Sequence, residues 1–90
     1  MELDHFRRLL EAKPTEGCRI RLRFDDGVAA EVDFSFLLDF EGVFIPLRDP
    51  DFFRQVRIDE GGFTVEWPGE IDFDPAAVYR RTLEAAAVAS

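Results

Sequence analysis

Apolar and polar residues alternate along two stretches of the chain, Arg19 to Phe24 and Val28 to Phe34. This period of two predicts a β-hairpin in which each strand buries one face. A two-residue turn would put Glu31 on the buried face, so the alternation favours a three-residue loop that ends in Gly27, where a left-handed backbone is needed. The predicted cross-strand pairs are Phe24 with Val28, Leu22 with Ala30, Ile20 with Val32, Arg21 with Glu31 and Arg19 with Asp33.

A second hairpin follows from the same alternation in Val56 to Asp59 and in Phe63 to Trp67. Gly61-Gly62 suits a two-residue turn with positive φ at both positions. The predicted cross-strand pairs are Ile58 with Val65, Val56 with Trp67 and Arg57 with Glu66.

Helical spacing and capping signals predict a helix near each end of the chain. At the N-terminus, Leu3, Phe6 and Leu10 share one face of a helix from Asp4 to about Lys13. Near the C-terminus, Asp74-Pro75 is a typical start for a helix over residues 75–87.

Between the hairpins, shorter elements are expected. Ser35 is predicted to cap one helical turn that lowers Phe36, Leu38 or Phe40 onto the sheet, and Val43 to Ile45 is predicted to be a brief extended piece. Asp49-Pro50 predicts a further capped turn. After Trp67, residues 70–73 are predicted to form a loop.

These elements predict one α+β domain over residues 1–90. Its two hairpins form a mostly antiparallel sheet of four strands, with a short fifth strand as an alternative. Short helices cover the sheet, flanked by an N-terminal and a C-terminal helix. Four aromatic residues fall on strand faces that we expect to be buried. They are Phe24, Phe34, Phe63 and Trp67.

The formal net charge of −8 repels a nucleic-acid backbone and favours a basic partner. No apolar run is long enough for a membrane span, and the N-terminus does not resemble a signal peptide. The single Cys18 forms no internal disulfide, which suits a reducing compartment. We therefore expect a cytoplasmic protein.

Several segments, in their order along the chain, resemble the bacterial family called domain of unknown function 2442. The resemblance covers about residues 16–80, and its most specific segments are Pro46-Leu47-Arg48-Asp49 and Trp67-Pro68. One departure is that Gly69 stands one place earlier than the family's Trp-Pro-x-Gly-x-Asp pattern, although Trp67 and Asp72 keep their separation. The resemblance implies a small cytoplasmic α+β module with no established activity. Some relatives resemble one half of a two-gene toxin–antitoxin pair, which implies a regulatory or antitoxin-like partner protein.

The candidate interaction surface consists of Arg48, Asp49, Trp67 and Asp72, because an arginine beside an indole can stack on it and bind a carboxylate. The structural alternative is that Asp49 caps a helical turn while Arg48 anchors a loop carboxylate such as Asp33 or Asp72. No catalytic residue, metal or cofactor is predicted. The acidic residues from Glu66 to Asp74 match no calcium-loop spacing.

The leading functional hypothesis is a non-catalytic module that binds another protein, or a second copy of itself, through exposed sheet edges. An alternative from a different class is a small ligand-binding or enzymatic domain that uses the Arg48, Asp49, Trp67 and Asp72 site. A second alternative is a transcription-related regulator that contacts nucleic acid through the basic stripe Arg19, Arg21 and Arg23.

Overall fold

A computed structural model describes residues 7–40 and 42–89, with side chains described as far as residue 87. Its strands form two three-stranded antiparallel sheets, in the orders β1-β2-β3 and β4-β5-β6. The six strands are β1 Leu9–Pro14, β2 Arg19–Phe24, β3 Ala29–Asp33, β4 Arg57–Ile58, β5 Val65–Trp67 and β6 Ile71–Asp72. The helices are two 3-10 helices, Ser35–Asp39 and Gly42–Arg48, and two α-helices, α1 Pro50–Phe53 and α2 Pro75–Ala89.

The first predicted hairpin is confirmed as β2 and β3, with Leu22 opposite Ala30 and Ile20 opposite Val32. The Phe24 N–H donates to the Val28 carbonyl at 2.8 Å, which closes the three-residue loop. Gly27 has φ of 94°, the left-handed conformation that the loop requires. The alternation of side chains was sufficient to predict this register, because a slip of one residue would expose the apolar face.

The N-terminal helix predicted over residues 4–13 is wrong where the structure describes it. Residues 9–14 form β1, which pairs with β2 so that Ala12 lies opposite Leu22. An irregularity between Leu9 and Glu11 breaks the strict alternation. This bulge places Leu9 and Ala12, three positions apart, opposite the buried Phe24 and Leu22, and a spacing of three also favours a helix. The predicted residues 4–6 lie outside the described part of the chain.

The second predicted hairpin is confirmed as β4 and β5, with Ile58 opposite Val65 and Arg57 opposite Glu66. Its turn differs from the prediction, because only Gly62 of the two glycines has a positive φ, at 82°. The Gly62 N–H donates to the carbonyl of Asp59 at 3.0 Å. The Asp59 carboxylate also accepts the N–H groups of Phe63 and Thr64, at 2.9 and 3.2 Å. The aspartate therefore shapes a longer turn than the glycine pair predicted.

The loop predicted at residues 70–73 contains a strand, β6, in which Ile71 pairs with Trp67 of β5. Gly69 and Glu70 both have positive φ, at 91° and 64°, and they make the tight turn between these strands. The single four-stranded sheet is therefore wrong, since the second hairpin gains its own third strand. The Leu9 N–H donates to the Gly62 carbonyl at 2.8 Å, so the two sheets meet at the start of β1.

Three short helices make up most of the described connection between the sheets. Its first turn is not capped by Ser35; instead, the Asp33 carboxylate accepts the Ser35 N–H at 2.8 Å. The extended piece predicted at residues 43–45 is also wrong, because these residues lie in the second 3-10 helix, which includes Pro46. The predicted Asp49 cap is confirmed, since its carboxylate accepts the Asp51 N–H at 3.0 Å.

The C-terminal helix is confirmed as α2, which begins at Pro75 and continues two residues beyond the predicted end. It packs against β3 and buries Val78 and Thr82. Leu22, Val32 and Val65 belong to one core, as predicted. Ile58 and Phe73 pack against that core while only partly buried. Among the described helices, none combines the length and the apolar character that crossing a membrane requires.

The core contains side chains from both sheets, both α-helices and both 3-10 helices. Three of the four aromatic residues predicted to be buried are inside it, whereas Phe63 is only partly buried. The largest fully buried side chains are Trp67, Phe24, Phe34 and Phe53.

Candidate interaction surface

Four phenylalanine rings meet where the two 3-10 helices approach the loop before α2. We call Phe36, Phe40, Phe44 and Phe73 the phenyl cluster. Each of these rings contacts two other rings of the cluster, so the four contacts form a closed circuit. The ring centroids are separated by 6.2 Å between Phe36 and Phe40, 5.7 Å between Phe40 and Phe44, 6.4 Å between Phe44 and Phe73, and 5.5 Å between Phe36 and Phe73.

The phenyl cluster lies at the boundary between core and solvent. On the inner side, the fully buried Phe34 ring lies 5.8 Å from Phe36 and 6.2 Å from Phe73. On the outer side, Phe40 is 45% exposed, and the nearby Val43 and Ile45 are 65% and 46% exposed. Large apolar side chains that are grouped and solvent-exposed in this way mark interaction sites more often than scattered ones do.

The 3-10 geometry explains why the second helix exposes these residues. With three residues per turn, side chains three positions apart lie on the same side of the helix. Leu47 is buried and Phe44 is partly buried, so that side faces the core. Val43 and Ile45 flank Phe44 and are left on the two outer sides of the helix.

Arg48 fixes the position of this segment. Its Nε donates to the carbonyl of Leu38 and its Nη2 to the carbonyl of Phe40, both at 3.2 Å. One guanidinium thus ties the end of the second 3-10 helix to the end of the first. The alternative that Arg48 anchors a loop carboxylate such as Asp33 or Asp72 is wrong, because its partners among the described residues are the carbonyls of Leu38 and Phe40.

One arginine already covers part of the phenyl cluster. The Arg81 guanidinium of α2 lies 3.6 Å from the centroid of the Phe36 ring, which is cation–π geometry. Three exposed carboxylates, Asp39, Asp72 and Asp74, stand next to phenyl-cluster residues in the sequence. Within the described residues, none of these three carboxylates forms an ion pair.

The four residues predicted to form an interaction surface do not share one. Trp67 is fully buried, and its Nε1 donates to the carbonyl of Phe53 at 2.9 Å, so its assignment to the surface was wrong. The indole is a core side chain because β5 turns it towards the α1 helix. Asp49 is used as a helix cap, while Asp72 is exposed on β6. Participation of Arg48, Asp49 and Asp72 in binding stays a prediction.

The exposed residues of the phenyl-cluster surface were not singled out from the sequence. Phe36, Leu38 or Phe40 was expected to pack onto the sheet, and residues 43–45 were expected to form a brief extended piece. One signal was present: Phe36, Phe40 and Phe44 recur at every fourth position beside further apolar residues, which is more apolar surface than one short connection can bury.

Other candidate chemistry takes different forms in the structure. In the described part of the chain, no three His, Cys, Asp or Glu side chains are grouped to hold a metal. Partial burial, and to a smaller extent the charge of Asp33, raises the pKa of the Cys18 thiol, which disfavours the nucleophilic thiolate. In the basic stripe, Arg19 pairs with Glu31 at 3.6 Å and Arg23 with Glu11 at 3.5 Å.

The fold and this surface define a small α+β domain that exposes an aromatic patch beside its second sheet. Residues 9–84 match a family model described as Protein of unknown function (DUF2442). The match covers most of the chain, from β1 into α2, and the chain belongs to this family. Comparisons with curated proteins and with solved structures gave no match.

Proposed function

We propose that this chain is a non-catalytic module that binds another protein chain through the phenyl cluster together with Val43 and Ile45. The observation that carries the proposal is the exposure of Phe40, Val43 and Ile45, each 45% or more, within one short segment. Exposed apolar groups gain free energy when a partner removes them from water, at about 25 cal/mol per Å² of apolar area.

The segment is suited to binding because its shape is fixed in advance. Arg48 holds two carbonyls of the first 3-10 helix, and the buried Phe34 supports the rings from below. A surface that is ordered before binding loses less conformational entropy when a partner docks. Aromatic side chains, phenylalanine included, are also enriched in protein interfaces relative to the rest of the surface.

Site-specific photo-crosslinking in cells that express the chain tests the proposal. A photoreactive amino acid replaces Val43 in one variant and Leu10 in a control variant. Leu10 is a matched control because it is also apolar and 51% exposed, but lies on β1. We expect discrete crosslinked products from position 43 that are absent from position 10. Equal or absent crosslinking at the two positions would contradict the proposal.

Whether the partner is a second copy or a different protein is a separate question. Crosslinked products at twice the mass of the chain would indicate self-association, and light scattering of the purified chain would report it independently. Either outcome is compatible with an interaction surface at the phenyl cluster, and the outcome decides which kind of interface it is.

A further inference from the structure

The geometry points to a basic, amphipathic protein segment as the occupant of this surface, an inference that rests on the proposed function. Apolar side chains of the segment would cover Phe40, Val43 and Ile45. Lysine or arginine side chains of the same segment would reach the carboxylates of Asp39, Asp72 and Asp74.

Charge complementarity is the first argument for a basic occupant. Asp39 precedes Phe40, and Asp72 and Asp74 stand on either side of Phe73, so each aspartate is the neighbour in the chain of a phenyl-cluster residue. All three are exposed, and within the described residues none has a cationic partner. An acidic or neutral partner would leave these charges uncompensated near its own apolar contacts.

The two arginines close to the phenyl cluster are already engaged. Arg48 donates to the carbonyls of Leu38 and Phe40, and Arg81 lies over the ring of Phe36. Their side chains are therefore committed to the fold, whereas the three carboxylates remain available. The Arg81 contact also shows that a ring of this cluster accepts a guanidinium on its face, as a partner's arginine would require.

A second copy of the chain fits this surface less well. Each copy carries a formal net charge of −8, so two copies that met through this surface would bring like charges together. Like charges face to face oppose association and slow the encounter of the two molecules. The same net charge accelerates the approach of a basic partner.

Selection from a random peptide library tests the inference without knowledge of the natural partner. Phage-displayed random 12-residue peptides are selected on the full chain, and peptides that also bind the Phe40→Ser/Val43→Ser/Ile45→Ser variant are removed. Binding of the enriched peptides is then measured by fluorescence anisotropy at low and high salt. Asp39→Asn/Asp72→Asn/Asp74→Asn is the test variant, and Glu16→Gln/Glu60→Gln/Glu84→Gln is the matched control with the same change in net charge.

We expect the enriched peptides to carry lysine or arginine together with large apolar residues. The aspartate variant should bind them about eightfold more weakly, because each of the three exposed ion pairs contributes a factor of about two. The control variant should lose no more than about twofold through its changed net charge. Thermal unfolding of each variant confirms that it is folded before binding is compared.

Three results would overturn the inference. The first is enrichment of neutral or acidic peptides, the second is equal weakening by the aspartate and control variants, and the third is the absence of any enriched peptide. Failure here is distinguishable from failure of the proposed function: crosslinking from position 43 with neutral selected peptides retains the interaction surface and rejects only its basic partner. Absence of crosslinking from position 43 rejects the surface itself.

Discussion

Replacement of Trp67 by phenylalanine separates the buried indole from the exposed rings of the phenyl cluster. Trp67 is fully buried, packs against Phe53 with 5.7 Å between ring centroids, and donates its Nε1–H to the Phe53 carbonyl. Phenylalanine keeps an aromatic ring in the core but removes this donor and leaves part of the indole volume unfilled.

The expected loss can be worked out from these contacts. Phenylalanine lacks two of the indole's carbon atoms, which at about 0.8 kcal/mol per buried group cost about 1.6 kcal/mol. The lost hydrogen bond adds about 1 kcal/mol, at the lower end of the usual range because the Phe53 carbonyl still accepts the Val56 N–H at 3.2 Å. The sum of about 2.6 kcal/mol corresponds to a fall in Tm of roughly 10 to 20 °C for a domain of this size.

Urea and thermal unfolding followed by far-ultraviolet circular dichroism measure the effect, since the variant has no tryptophan for fluorescence. Ile45→Ala is the control, and its 46% exposure predicts a change within about 0.5 kcal/mol. A loss below about 1 kcal/mol for Trp67→Phe would refute the assignment of the indole to the core. A loss for Ile45→Ala as large as that for Trp67→Phe would refute the assignment of Ile45 to the surface.

Three further predictions concern polar groups that hold turns. Burial raises the pKa of the Asp59 carboxyl, but the backbone N–H groups of its turn outweigh burial and lower the pKa below 3.8 overall. The ionised Asp59 therefore stabilises the fold fully above pH 3.8, and this contribution is lost as the pH falls through the folded-state pKa. Asp59→Asn should accordingly be less stable than the wild type at pH 6, with a difference that shrinks towards pH 2 in circular dichroism; a difference that does not change with pH would contradict this. Burial raises the pKa of the Asp26 carboxyl, but hydrogen bonds, above all the one that the Tyr79 hydroxyl donates at 2.5 Å, lower this pKa overall. Tyr79→Phe should therefore raise the pKa of Asp26 in a nuclear magnetic resonance titration, and an unchanged value would count against the bond. Arg48→Met should speed amide hydrogen exchange in residues 36–40 and 42–45 more than elsewhere, because the Leu38 and Phe40 carbonyls lose the guanidinium that binds them, and uniform exchange would refute that role.

The parts of the fold that local pattern determines were predicted correctly. The β2–β3 register follows from Leu22 and Ile20, because a one-residue slip would turn every apolar side chain of the strand outward. The Asp49 cap follows from its position before Pro50, since both residues act on the backbone within one turn. Such features depend on near neighbours in the chain, so they can be inferred without knowing what packs against them.

The errors arose where a distant segment decided the local conformation. Residues 9–13 have the apolar spacing of a helix, yet they pair with β2 because an unpaired strand edge offers them a ladder of hydrogen bonds. Ile71 was placed in a loop because a two-residue strand has no period of its own, and it is a strand only because Trp67 lies opposite. Trp67 was expected both on a buried strand face and in the candidate interaction surface, and its burial against α1 confirms the first expectation and rules out the second.

The sequence by itself determined the two hairpins, the capped start of α1, the start of α2 at Pro75, the acidic charge and the membership of most of the apolar residues in one core. Tertiary structure alone decided that the strands divide into two sheets and that Phe40, Val43 and Ile45 face outward. The physical reason is that periodicity and capping act over a few residues, whereas burial is a competition among all apolar side chains for a limited interior. In a chain of 90 residues with ten phenylalanines, some rings are left at the surface, and only the packed structure shows which ones they are.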